Sequence, residues 1–113
     1  MLTKDAIISQ LNSYLVTTNV KEAYLFGSYA TGSATRHSEI DLILIYETQK
    51  RFFGRYKEFE SIHDLLAIPI DLLIFTPEEW KRVNQRLFFE NMFKDKRITN
   101  VYSKTGNRST TLV

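Results

Sequence analysis

Residues 40–46 read Ile-Asp-Leu-Ile-Leu-Ile-Tyr, and after Asp41 the run is apolar on both faces of a strand. Such a strand has to be covered on both sides, which suits an interior position in a sheet packed between helices. Two further runs share its character: Val20 to Phe26, stopped by Gly27, and Ile70 to Phe75, which follows Pro69. Between these runs the apolar spacing becomes helical. Ile7, Ile8, Leu11 and Leu15 predict a helix over 2–16 with Thr3 as its N-cap. Phe52, Tyr56, Phe59, Ile62 and Leu66 predict a long second helix over 49–67, loosened in its first turn by Gly54. Thr76-Pro77-Glu78-Glu79 supplies an N-cap, a proline at the first helical position and acids in the first turn, and that helix is expected to reach Phe93. Ser28 is expected to open a short helical turn closed by Gly32. Residues 98–102 predict a short last strand. Strands alternating with helices define an α/β domain, a small sheet of three to four strands flanked by helices. The expected domain is 1–102, with 103–113 a polar C-terminal tail, disordered or held by a partner.

A chain of 113 residues, 43% hydrophobic and 25% charged, supports one core and argues against disorder. One domain leaves little room for a separate substrate-binding unit. A large substrate therefore binds on this domain or arrives with a partner chain. The absence of cysteine excludes a disulfide framework and a thiolate metal site, and fits a cytoplasmic location. No apolar stretch is long enough for a signal peptide or a membrane span. Fifteen Lys and Arg against thirteen Asp and Glu give a net charge of +2, too small a bias to point to nucleic acid.

The informative departure lies at the strand ends. Gly27-Ser28 is followed after ten residues by Glu39-Ile40-Asp41, at the head of the second strand, and Asp71 heads the third. Residues two apart on a strand share a face, roughly 6.5 Å apart, so Glu39 and Asp41 project together. If the third strand lies beside the second, Asp71 joins them. Any one of these acids alone reads as a solvated strand end or a partner for Arg36, Arg55 or Lys57. Three converging acids suit divalent cations instead, and magnesium in particular takes carboxylate, water and phosphate oxygens. Gly27 lets backbone approach closely, and the amides after it, with the Ser28 hydroxyl, can donate to phosphate oxygens.

This pattern resembles the nucleotidyltransferase superfamily of DNA polymerase beta, and within it the minimal nucleotidyltransferase (MNT) group. The resemblance rests on Gly-Ser, a ten-residue spacer, acid-any-acid and a later strand-borne Asp, and it covers residues 20–75 most strongly. It implies a small mixed sheet of the nucleotidyltransferase fold. It implies that Gly27 and Ser28 bind the triphosphate of ATP, that Asp41 is a metal ligand, and that Asp71 binds metal and helps deprotonate the attacking hydroxyl. It further implies one or two Mg2+ ions, a HEPN-type toxin as partner, and antitoxin action by transfer of AMP to a toxin tyrosine. Glu39 stands where the family usually has Asp. One extra methylene displaces the carboxylate by more than the roughly 0.5 Å that a metal site tolerates, unless another rotamer compensates. Two functions follow: an active transferase, or an antitoxin that neutralises its partner by covering it.

Other residues carry less. Arg36 reads either as a phosphate contact or as a solvated loop residue, and His37 as a loop residue. Tyr29 and Thr31 flank the Gly-Ser bend. His63 is expected to be a hydrogen-bonded packing residue beside the second helix's apolar stripe. Lys50, Arg51, Arg55 and Lys57 read as a solvated helix face or a receiver of pyrophosphate or an acidic partner. Trp80, Phe88, Phe89 and Phe93 read as core or interface. Self-association is left open.

Overall fold

The computed structural model describes residues 2–94 and 97–104, with all their side chains except those of Phe52, Leu87 and Phe88. Helix α1 spans Lys4–Leu15, and the Thr3 hydroxyl accepts the Ala6 N–H at 3.1 Å as its N-cap. Strand β1 (Val20–Phe26) leads through Gly27 into the one-turn helix α2 (Ser28–Thr31), closed by Gly32 in the left-handed conformation. Strand β2 spans Ile40–Tyr46. Helix α3 (Phe52–Glu58) and a 3-10 turn (Glu60–Asp64) cross over to strand β3 (Ile70–Phe75). Helices α4 (Pro77–Val83) and α5 (Leu87–Lys94) then precede strand β4 (Thr99–Ser103).

The four strands form one mixed sheet in the order β3-β2-β1-β4. β1 runs antiparallel to β2 and β4, while β2 and β3 are parallel and in register from Ile40–Ile70 to Ile45–Phe75. Side chains alternate across the sheet, so β1, β2 and β3 each feed two cores. Leu25, Leu42, Leu44, Leu72 and Ile74 pack with Ile7, Leu11 and Leu15 of α1 and with Phe59 and Ile62. Ile43 and Ile45 face the other way, onto Trp80, Phe89 and Met92, with Tyr24, Phe26, Leu73 and Phe75 around them. The expectation of an interior strand apolar on both faces holds for β2. Among the described residues, no helix is long and apolar enough to cross a membrane.

Two expected helices are each broken. The stripe over 49–67 runs Tyr56, Phe59, Ile62 with steps of three. A 3-10 turn eclipses residues three apart, and Phe59 and Ile62 are buried where α3 gives way to it. Phe52, placed in that stripe, has its side chain outside the description. His63 is exposed on the 3-10 turn and is not a packing residue. The helix expected over 76–93 breaks at Asn84–Arg86, where Arg86 N–H donates to Val83 O at 3.0 Å. Trp80 and Phe89 are nine residues apart, two and a half turns, and would point oppositely on a continuous helix. The break lets both face one cluster, with ring centroids 5.4 Å apart. Phe93 is 40% exposed at its margin, and the Phe88 side chain lies outside the described residues.

The last strand starts and ends one residue later than expected. Ser103, the first residue assigned to the tail, belongs to the sheet, and Lys104 N–H, just past the strand, donates to Lys21 O at 2.9 Å. Residues 105–113 of that tail lie outside the described residues.

Candidate functional site

The parallel register sets Asp41 of β2 directly beside Asp71 of β3. Ile40 N–H donates to Pro69 O at 2.9 Å, which ties the heads of the two strands together. Glu39, one step before the strand, keeps Asp41's side of the chain. A carboxylate oxygen from each of Glu39, Asp41 and Asp71 lies within 4.8 Å of the others. Glu39 and Asp71 are exposed and Asp41 is half-buried. None of the three has an ion pair with a Lys or Arg among the described residues. One anticipated alternative partner is engaged elsewhere. Arg55 is bound to Glu79, at 2.7 Å. Burial raises the Asp41 carboxyl above its ordinary pKa, and the charges of Asp71 and Glu39 raise it further. Three like charges held this close, with the most covered one already shifted toward its neutral form, fit a divalent cation. The donor set is all oxygen, as magnesium requires.

Gly27 closes the other side. Its φ is 77° and ψ is −159°, a region essentially restricted to glycine. A Cβ there would stand 2.1 Å from Asp41 Oδ2. The backbone bend and the carboxylate are therefore in direct contact, which no larger residue permits. Gly27 O accepts the N–H groups of Ala30 and Thr31 at 3.1 and 3.2 Å, so α2 winds up immediately after the bend. Buried Tyr29 and Ala30 anchor this turn in the α1-side core. Ser28 is its first residue, where the leading N–H groups of a helix have no intrahelical acceptor.

Sequence reasoning missed one positioning residue. Lys4 Nζ donates to Ala30 O at 2.9 Å and fastens α1 to the end of α2. The two residues are 26 apart, and no local pattern signals such a contact. Arg36 is exposed and lines a hollow of about 430 Å3 with Leu2, Tyr29, Ala67 and Ile68, a set that includes none of the acids. His37 is exposed in the same loop.

The mixed four-stranded sheet with its flanking helices is an α/β nucleotidyltransferase fold. The family model described as "Nucleotidyltransferase domain" matches residues 7–98, and this chain belongs to that family. No curated protein matches it in sequence. Among solved structures, a toxin–antitoxin crystallised with AMP-PNP is similar at 17% identity and a TM-score of 0.57, over 96% of this chain and 80% of that one. A toxin–antitoxin MntA–HpeT variant carrying two Asp-to-Glu substitutions is similar at 17% identity and a TM-score of 0.56, over the same shares. A Tyr-to-Ala variant of MntA–HpeT is similar at 18% identity and a TM-score of 0.54, over 97% and 80%. These likenesses are of fold.

Proposed function

We propose that this chain is a magnesium-dependent nucleotidyltransferase that moves AMP from ATP to a tyrosine hydroxyl of a partner HEPN-type toxin, and that it acts as the antitoxin in that pair. The observation that carries this is the convergence of Glu39, Asp41 and Asp71 within 4.8 Å, without a cationic side chain among the described residues to balance them. Glu39, Asp41 and Asp71 would hold the magnesium. When bound, the metal would neutralise phosphate charge and the charge of the departing pyrophosphate. The Gly27–Ser28 bend would bind the triphosphate through the leading amides of α2 and the Ser28 hydroxyl. Asp71, an exposed acid of the cluster, would take the proton of the incoming hydroxyl. The acceptor oxygen then bonds to the α-phosphorus, the bond to the bridging oxygen breaks, and pyrophosphate leaves. Support for the nucleotide and the partner comes from the fold neighbours, one of them a toxin–antitoxin crystallised with AMP-PNP.

Transfer is measured as labelled AMP on the partner and pyrophosphate in solution. Asp41→Asn should lower it at least a hundredfold with the fold intact. Normal transfer by that variant contradicts the mechanism. A second function, neutralisation by binding alone, is favoured by Glu39, which lengthens the acid that the family keeps as Asp. If that holds, Glu39→Asp raises transfer severalfold or more. If wild type and Glu39→Asp transfer AMP equally well, Glu39 is a competent ligand.

A further inference from the structure

A hollow of about 270 Å3 opens at the end of β3 opposite Asp71. Phe75 and Val83 give it an apolar wall, Ile74 borders it with a side chain committed to the α1-side core, and its charged groups are Arg55, Arg82, Arg86 and Glu79. Glu79 is fully engaged. Its carboxylate takes two bonds from Arg55, at 2.7 and 3.2 Å, and one from the Thr76 N–H at 2.9 Å. The other two guanidinium groups lack a comparable partner. Arg82 lies 3.8 Å from Glu78, with both side chains largely exposed, an interaction of little strength. Arg86 has no acidic partner among the described residues. Two arginines four residues apart repel when they share a side, and here both line one concavity.

We propose that this hollow is a docking site for an acidic side chain of a partner protein. The volume lies below the roughly 300–1,000 Å3 of pockets for drug-sized ligands, so it suits one side chain and not a nucleotide. A glutamate or aspartate matches both halves of the lining. Its methylene groups cover Phe75 and Val83, and its carboxylate meets the planar forks of Arg82 and Arg86. A free inorganic anion would leave the apolar wall uncovered. The site is three to four strand residues from Asp71, on the order of 10–13 Å, so it works whether or not AMP is transferred.

The test uses the whole chain, at roughly 25 mM salt to limit screening. A capped pentapeptide of alternating glutamate and leucine, its glutamine counterpart, and inorganic phosphate are titrated in turn while the arginine Nε–H resonances are followed. The glutamate peptide should shift the Arg82 and Arg86 signals saturably. The glutamine peptide should bind at least tenfold more weakly, and so should the Arg82→Ser/Arg86→Ser protein, followed at the Arg55 Nε–H. Arg55 is left intact because it holds Glu79. Both altered arginines are exposed, so folding should persist, and a melting curve checks it. Asp41→Asn should leave peptide affinity within twofold, which separates this site from the acid cluster. Failure of the glutamate peptide to saturate overturns the proposal, as does equal binding by the glutamine peptide or by the double variant. Phosphate moving the same signals as tightly as the peptide also overturns it, by making the hollow a free-anion site.

Discussion

Glu79 and Asp41 are both half-buried carboxylates beside the same sheet, and their surroundings push them in opposite directions. Hydrogen bonds from Arg55 hold the Glu79 carboxyl below its ordinary pKa, helped by the Thr76 backbone and partly opposed by burial. Burial raises Asp41, and the neighbouring Asp71 and Glu39 raise it further. The first carboxylate is satisfied by the fold and stabilises it. The second is left wanting positive charge by the same fold. This difference separates a structural ion pair from a cluster kept for a ligand, although the two look alike as isolated acids in the sequence.

The comparison breaks first at Gly27. A methyl group there meets Asp41 Oδ2 at 2.1 Å and forces a side chain into a backbone region that costs about 1–3 kcal/mol. Gly27→Ala should therefore lose at least that much stability and nearly all transfer, as read by urea denaturation and AMP incorporation. If Gly27→Ala matches wild type in both, the contact between bend and carboxylate is wrong.

Arg55→Leu should show the converse pattern. It strands Glu79, but both side chains keep some exposure, 12% and 34%, so the loss should be about 2 kcal/mol, less than for a fully buried pair. Transfer per folded molecule should stay within twofold. Thr76→Ala should cost about 1 kcal/mol, because the hydroxyl caps the Glu79 N–H at 3.1 Å in a reciprocal capping box.

The smallest expected effect is in pH. Glu79 has a lowered folded-state pKa, so its contribution is present above the unfolded value and is lost as pH falls through the folded value. Asp41 has a raised one, so it costs stability at neutral pH, and that cost disappears as the solution is acidified toward its unfolded value. Denaturation midpoints from neutral to acid pH should fall less steeply for Glu79→Gln than for wild type. For Asp41→Asn they should fall more steeply, because the compensating gain is gone.

Much of this was legible in the sequence because it is local. Thr3 and Thr76 announce their helices by type and position, and both cap as expected. β1, β2 and β3 follow from runs of apolar residues bounded by Gly27, Asp41 and Pro69. The acid triad was legible because the Gly-Ser spacing and two strand-head acids are read along the chain, and a parallel register then sets Asp41 against Asp71. What escaped depends on distant partners. The break after Val83 exists because Trp80 and Phe89 share one cluster, and periodicity alone continues the helix. Arg55 sits in a basic run that reads as a solvated helix face, and its commitment to Glu79, 24 residues away, leaves no local mark. His63 falls near an apolar stripe in sequence but sits exposed on a 3-10 turn.

The central claim is that the fold holds three acids together for a cation and not for its own stability. Melting curves of wild type and Asp41→Asn, with and without millimolar magnesium and a non-hydrolysable ATP analogue, test it most directly. Without additives the variant should melt at or above the wild-type temperature, and magnesium with nucleotide should raise only wild type. A variant that melts well below wild type in the absence of metal, together with a wild type indifferent to magnesium and nucleotide, would contradict the account.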